Sequence, residues 1–314
     1  MIFLAGCDDK KKVIEEPSIP AKKVAITSEK KVQASIEQIA FTLPTCKEMH
    51  CPQIQIYRLM SSEPELNALV DDYIIKYVEH MVASLDFKTT KENLEQVIVK
   101  EPSPIDTLIK TEPVQAAAIK ASSNVDKHQD FLDILQPNID NFIQISEELS
   151  ALGAKSQLNL YIKPQLVKVD DKVATVLIDA SNYVGGAHGS TSQQYINFDV
   201  INRRSLNLES VIKREKIGKF NELVYGKFKN WIAEIDQTLD AKTYESLWPF
   251  KVSENFYLDK NQLVLQYGQY ELGPYAAGLP RIILPYQELV DVLDPQYLPQ
   301  KMIDNAAKKH PVTE

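Results

Sequence analysis

Cysteine, histidine and glycine are scarce in this sequence of 314 residues, which contains 3 cysteines, 5 histidines and 10 glycines. It contains no G-x-S-x-G nucleophile elbow, no H-E-x-x-H zinc motif and no G-x-x-x-x-G-K-[ST] phosphate loop. These absences argue against the enzyme classes built on those motifs. The glycines at 185, 186 and 189 do not stand between a strand and a helix, so they do not form a dinucleotide fingerprint either. We therefore expect no cofactor.

Positive charge is also in short supply. The formal net charge is −8 at pH 7, and the short lysine clusters near the N-terminus are interrupted by glutamates. Nucleic-acid binding needs a clustered basic surface, so we expect no nucleic-acid partner. No apolar run after the first residues reaches the roughly 20 residues that cross a bilayer. With 44% hydrophobic residues the chain can still bury a sizeable core.

The N-terminus has the pattern of a bacterial lipoprotein. Residues 4–7 read L-A-G-C, the form of a lipobox, in which Cys7 accepts diacylglycerol. Because residues 1–7 are shorter than a complete signal peptide, we expect a start codon further upstream. A chance match is the alternative, but it does not explain the abrupt change to charged sequence after Cys7. We expect a cell-envelope protein whose only membrane attachment is this lipid, with residues 8–35 as a flexible charged tether.

The other two cysteines stand close together in C-K-E-M-H-C, as Cys46 and Cys51. In an oxidising compartment such a pair favours a disulfide that closes a small loop. A metal site of both cysteines with His50 is the alternative. Zinc normally takes a further protein ligand or a catalytic water, and no second Cys/His pair follows at finger spacing. We predict the disulfide and no metal.

Hydrophobic periodicity divides the first half of the chain into strand and helix. In residues 51–60, Ile54 and Ile56 alternate with polar neighbours as in a half-buried strand. The next residues, Ser62 to Glu65, predict a capping box at the start of a helix that runs to about Asp86. A second helix is predicted from Val125 to Leu149, with a break or kink at Pro137.

From residue 156 the period changes to two, which predicts strands. Asp170-Asp171 and Asn202 to Arg204 are predicted turns between strands, and an amphipathic helix should cover Ile217 to Ile232. A further hairpin and a strand that leads into a short helix follow. Because strands and helices are segregated, we predict an α+β fold with largely antiparallel sheets packed against a few amphipathic helices. We expect two related subdomains and a polar tail: 36–182, 183–295 and 296–314.

Two short motifs stand out in the second half. G-G-A-H-G at 185–189 precedes N-F-D at 197–199, and P-Y-A-A-G at 274–278 precedes L-P-Y at 284–286. The chain resembles, over roughly Cys46 to Leu293, a bacterial family of unknown function found in the extracellular part of the anti-sigma factor RsiV and beside the catalytic domain of PdaC-type deacetylases. The resemblance implies a domain that engages cell-wall glycan or a glycan-cleaving protein.

The expected function is accordingly a lipid-anchored, non-enzymatic binding module for peptidoglycan or a lysozyme-like muramidase. The alternative is a cell-wall glycan hydrolase in which His188 works with Asp199 or Glu271 as an acid/base pair. Binding is favoured because the family accompanies enzymes and no nucleophile motif is present.

Candidate ligand-binding residues come from both motifs. Glycines supply positive φ or close backbone approach, which shapes a loop. His188 in that loop has either a structural role, with hydrogen bonds to a neighbouring strand, or a functional role. Tyrosine offers a flat apolar face with a polar tip, which suits sugar rings. We expect Tyr270 and Tyr275 to be exposed, because glycine and proline surround them. The full candidate set is Tyr183, His188, Asn197, Asp199, Tyr270, Glu271 and Tyr275.

Overall fold

A computed structural model describes residues 32–43, 51–85, 124–154 and 156–302. The predicted lipidation site Cys7, the disulfide partner Cys46 and the loop residue His50 lie outside the described residues. The pairing of Cys46 with Cys51 and the lipid anchor therefore stay predictions.

A large sheet organises the first part of the chain. Its strands lie side by side in sequence order, with β2 and β3 parallel and all other neighbours antiparallel. The predicted turn at Asp170 is confirmed, since its carboxylate accepts the amides of Lys172 and Val173 at 2.9 and 2.8 Å. The strands are β1 (Ala34–Gln38), β2 (Gln53–Ser61), β3 (Asn159–Val169), β4 (Val173–Tyr183), β5 (Ser190–Asp199) and β6 (Arg204–Ser205).

Two long helices, α1 (Pro64–Ala83) and α2 (Asn124–Ala151), pack together over one face of this sheet and enclose the first core. Arg58 on β2 is buried there and pairs with Asp71 of α1 at 2.6 Å, with its guanidinium 4.9 Å from the centre of the Phe131 ring on α2. A buried charge needs such a partner, so this pair fixes α1 against the sheet. Pro137 lies inside α2, which continues on both sides of it.

The predicted capping box is wrong. Glu63 occupies the N-cap of α1 without a side-chain hydrogen bond to the helix. Ser62 Oγ instead accepts the amide of Gln33 at 3.2 Å. Glu65 pairs with Arg203, 138 residues away in sequence, at 2.7 Å. Contacts from distant parts of the chain have replaced the local reciprocal bonds.

The second part of the chain forms a smaller antiparallel sheet with its own core. β8 lies between its neighbours, and the amphipathic helix predicted over Ile217 to Ile232 is present as α4 and packs on β9. The elements are α3 (Leu208–Val211), α4 (Ile217–Ile235), α5 (Ala241–Leu247), β7 (Phe256–Leu258), β8 (Gln262–Gln266), β9 (Arg281–Pro285) and α6 (Tyr286–Leu289). The predicted α+β class with largely antiparallel sheets is confirmed.

The predicted boundary between residues 182 and 183 falls inside the large sheet. It lies within β4, before the last residue of that strand, although β4 and β5 pair from Val173↔Asp199 to Asn182↔Ser190. A hairpin shares its backbone hydrogen bonds, so its two strands form one unit. The second core is formed by residues from Leu206 onward together with Val173 of β4.

Side-chain amides join the two sheets along the outer edge of β5. Asn255 accepts the Tyr195 amide at 2.8 Å and donates to the Gln193 carbonyl at 2.7 Å, as a neighbouring strand would. Tyr195 also stacks on Tyr257 of β7, with ring centroids 4.2 Å apart. The seam between the sheets therefore satisfies strand-edge groups that would otherwise be unpaired.

Candidate functional site

Two loops meet at one end of β5. We call residues 184–189, between β4 and β5, the glycine loop, and residues 267–280, between β8 and β9, the tyrosine loop. They carry the G-G-A-H-G and P-Y-A-A-G motifs respectively. The two motifs are far apart in sequence, and the fold brings them into contact.

The glycines give the first loop its shape. Gly185 and Gly186 have φ of 102° and 90°, a region that L side chains rarely adopt. Gly189 is required for a different reason, because a Cβ there would lie 2.6 Å from the carbonyl oxygen of Asn182. Tyr183 closes the turn by donating its hydroxyl to the Gly186 carbonyl at 3.0 Å. This loop presents His188 to solvent.

The tyrosine loop is held by buried contacts on either side of Tyr270. The Gln269 side chain, 7% exposed, accepts the amide of Thr191 on β5 at 2.9 Å. The carbonyl of Leu272 accepts the Tyr244 hydroxyl at 2.7 Å. Between these anchors Tyr270 has φ of 64°. A bulky residue in the left-handed region costs on the order of 1–3 kcal/mol and marks positions where the surroundings impose the conformation.

Three aromatic rings come together where the loops meet. The imidazole of His188 stacks on the Tyr275 ring, with centroids 3.8 Å apart and planes 19° from parallel. The Tyr270 ring lies 6.1 Å from that of Tyr275, and its hydroxyl is 3.4 Å from His188 Nε2. Tyr275 is 39% exposed, and Tyr270 is partly exposed. We call His188, Tyr270 and Tyr275 the aromatic platform.

His188 is held mainly by this stacking. Its two polar contacts, Nδ1 to the Gly189 carbonyl and Nε2 to Tyr270, are both 3.4 Å long. Hydrogen bonds of that length are weak. The histidine thus joins the two loops through its ring face, while its exposed side chain remains within reach of a ligand.

Glu271 borders the platform but is occupied locally. Its carboxylate accepts the Gly268 amide at 2.6 Å. Burial raises the pKa of this carboxyl, while the Gly268 hydrogen bond and the charge of Lys251 oppose that shift. A carboxylate engaged with its own turn stabilises the loop that holds Tyr270.

Asn197 and Asp199, predicted as ligand-binding residues, are structural. Asn197 is 2% exposed, accepts the Thr175 hydroxyl at 2.9 Å and donates to the Phe256 carbonyl at 2.7 Å, so it links the two sheets. Asp199 is 4% exposed, and its carboxylate accepts the amides of Ile201 and Asn202 in the turn after β5. Each polar atom of the two side chains already has a hydrogen-bond partner within the protein.

The proposed pairing of His188 with Asp199 is wrong. His188 precedes β5 and Asp199 ends it. At about 3.3 Å per residue the two ends of this strand are roughly 30 Å apart. An acid/base pair acts within hydrogen-bond reach or through one water.

Sequence reasoning missed Gln269, Asn255 and Gly273. Gln269 and Asn255 act through hydrogen bonds to β5, and a Cβ on Gly273 would lie 2.8 Å from the Tyr244 hydroxyl. Glutamine and asparagine carry no local signal of such roles. The G-P dipeptide at 273–274 indicates a turn. The sequence gives no other indication that Gly273 is closely packed against its neighbours.

Within the described ranges, no group of three or more His, Cys, Asp or Glu side chains is arranged to hold a metal ion. In the same part of the chain no helix combines the length and the apolar composition needed to cross a bilayer.

Comparison with known proteins supports the resemblance drawn from the two motifs. Residues 209–287 match the family described as a protein of unknown function, DUF3298. Over 164 residues the chain is 24% identical to the peptidoglycan-N-acetylmuramic acid deacetylase PdaC of Bacillus subtilis strain 168, covering 51% of this chain and 33% of PdaC. The chain thus spans about a third of that relative.

Solved structures show the same fold. A DUF3298 family protein from Pseudomonas aeruginosa PAO1 superposes with a TM-score of 0.50 at 19% identity, covering 86% of this chain and 95% of that one. A DUF3298 member from Bacteroides fragilis NCTC 9343 gives 0.50 at 17% identity, covering 87% and 98%. The chain is related to the DUF3298 family, and the matched region contains Tyr270, Glu271 and Tyr275.

Proposed function

We propose that this DUF3298-related chain is a non-enzymatic, extracytoplasmic module that binds the glycan of peptidoglycan through the aromatic platform. The observation that carries the proposal is the meeting of His188, Tyr270 and Tyr275 at the surface, where two glycine-shaped loops fix their orientation. Aromatic rings with polar edges suit sugars, which have apolar faces and hydroxyl rims.

Two further observations support binding over catalysis. The two predicted acidic partners of His188 are hydrogen-bonded within their own turns. Asp199 accepts the amides of Ile201 and Asn202, and Glu271 accepts the amide of Gly268. Glycan hydrolysis normally requires two carboxyl groups that flank the scissile bond. A location at the cell wall is supported by the similarity to PdaC, which is a deacetylase of a peptidoglycan sugar.

The strained conformation of Tyr270 fits a binding role. Gln269 and Leu272 anchor the loop on either side and hold the Tyr270 ring beside His188. A surface that is already ordered loses little conformational entropy when a ligand binds.

The test is co-sedimentation of the purified chain with peptidoglycan sacculi. Tyr275→Ala should reduce the bound fraction about ten-fold or more, the loss expected when an aromatic anchor is removed. Ile201→Ala is the matched control: it removes another exposed apolar side chain, 68% exposed, at the opposite end of β5, and should bind like the wild type.

Two other outcomes would redirect the proposal. Release of reducing ends from the sacculi by the wild type, lost in His188→Gln, would identify a hydrolase. Failure to sediment with sacculi together with tight binding to purified lysozyme would identify a protein partner instead of the glycan.

The proposed location rests on Cys7. Metabolic labelling with a palmitate analogue should mark the protein in the envelope, and Cys7→Ala should abolish the label. A non-reduced peptide that contains Cys46 and Cys51 should have the mass of the disulfide, as expected in an oxidising compartment. Two free thiols in envelope-derived protein would contradict that location.

A further inference from the structure

An aromatic side chain outside the platform lies close to the tyrosine loop. The chain has 2 tryptophans. Trp231, on α4, is partly exposed, stands edge-on to Tyr244 at 6.1 Å and lies 6.1 Å from the buried Phe228 ring. These neighbours fix the indole in place.

Trp231 contacts the tyrosine loop at Gly273. A Cβ built on Gly273 would lie 3.7 Å from Cη2 of the indole, 3.1 Å from the Ala277 Cβ and 2.8 Å from the Tyr244 hydroxyl. The absence of a side chain at 273 lets the loop approach Tyr244 and Ala277 closely, and the indole of Trp231 lies beside them at an ordinary van der Waals distance from the Cβ position.

Tyr275 of the platform lies only two residues further along the chain. Since consecutive Cα atoms are 3.8 Å apart, Gly273 and Tyr275 are separated by at most about 7 Å. The tyrosine loop thus has a rigidly held indole beside its first half and the stacked His188–Tyr275 pair at its second half.

We infer that Trp231 is a second sugar-stacking position and that the ligand of this site is a linear oligosaccharide, bound along the tyrosine loop from the platform to the indole. The inference rests on the proposed function and makes it more specific, since it names the form of the glycan that the site binds. Tryptophan presents the largest aromatic face for such contact.

The experiment uses the native fluorescence of the indole. In a Trp248→Phe chain, Trp231 is the sole tryptophan, so its emission reports on this position without altering it. The probes are peptide-free glycan strands prepared from peptidoglycan as the disaccharide, tetrasaccharide and octasaccharide. The Trp231 signal should saturate with the longer strands, and the affinity should rise with strand length. The reciprocal Trp231→Phe chain, which keeps Trp248, is the control and should show no change in emission.

A second variant tests the energetic contribution. Trp231→Ala should weaken binding of the octasaccharide about ten-fold, the effect of an aromatic anchor, and leave disaccharide binding close to that of the wild type. Tyr275→Ala should weaken both. A melting curve of each variant identifies any that fails to fold, and the Trp248→Phe chain retains the test in that case.

The outcomes separate this inference from the proposed function. Binding that depends on Tyr275 but is independent of strand length, with an unchanged Trp231 signal, would overturn the second position and leave the platform intact. Absence of binding to every strand and to sacculi would overturn both.

Discussion

The two ends of β5 carry halves of the same sequence motif and differ in almost every physical respect. At one end Gly185 to Gly189 form an exposed loop that places His188 against Tyr275. At the other end Asn197 and Asp199 are buried, and their polar atoms bond to Thr175, Phe256 and the following turn. The Asn197 side chain is buried and joins the two sheets, whereas the His188 side chain is exposed to solvent.

This difference shows how a contiguous motif can serve two purposes. The buried amide of Asn197 holds the smaller sheet against β5, and at the other end of the strand Thr191 donates to Gln269 of the tyrosine loop. The glycine loop then needs only the correct backbone shape to meet it. Substitutions at the buried end should therefore affect stability, and substitutions at the exposed end should affect binding.

The largest effect is expected for Asn197→Ala. The change leaves the buried Thr175 hydroxyl and the Phe256 carbonyl without their partner. Two such buried groups should lower the free energy of unfolding by about 2–4 kcal/mol. Thermal denaturation should show a fall of roughly 5–15 °C.

Asn230→Ala is the control for that prediction. Asn230 is exposed on α4, so the same substitution should change the free energy of unfolding by less than about 0.5 kcal/mol. Equal melting temperatures for the two variants would contradict the structural role assigned to Asn197.

An intermediate effect is expected for Gly186→Val. A β-branched residue at φ of 90° should lower the free energy of unfolding by about 1–3 kcal/mol. Gly218→Val provides the comparison, because Gly218 is exposed, has ordinary φ and open space around its Cβ position. His188→Gln should cost less than Gly186→Val, since it removes one exposed stacking contact. The reverse order in denaturant titration would mean that the histidine, rather than the glycines, shapes the loop.

The smallest effect concerns Glu271 and depends on pH. Burial raises its pKa in the folded chain, so the folded state binds this proton more tightly than the unfolded state. Its contribution to stability is therefore greatest below the ordinary glutamate pKa of about 4.3 and is lost as the pH rises through the folded value. Glu271→Gln keeps an acceptor for the Gly268 amide and removes the titration. The melting temperature of the variant minus that of the wild type should therefore increase as pH rises from about 4 to 8. A difference that decreases over this range would contradict the assignment.

Much of the fold followed from local pattern. The hairpin at Asp170 and the helix α4 were predicted because alternation and helical spacing are properties of neighbouring residues. The parallel pairing of β2 with β3 could not be predicted, since it joins Gln53 to Asn159 across more than a hundred residues. The capping box was wrong for the same reason, because Glu65 pairs with Arg203, which is distant in sequence.

The site was predicted in part. The exposed position of Tyr275 followed from the surrounding proline and glycine. Positive φ or close backbone approach was expected for the glycines, and the structure has positive φ at Gly185 and Gly186 and close approach at Gly189. The meeting of His188 with Tyr275 depends on the seam at Asn255 and Gln269. That arrangement is a property of packing between distant segments, and no short motif encodes it.

The central claim is that the glycine-loop end of β5 contacts glycan and the opposite end does not. The most direct test is NMR of the labelled chain during titration with soluble, peptide-free glycan strands. The ring signals of His188 and Tyr275 should shift with a single saturable dissociation constant, while the methyl signals of Ile201 stay in place. Saturable shifts at Ile201 with unchanged His188 and Tyr275 signals would contradict the account.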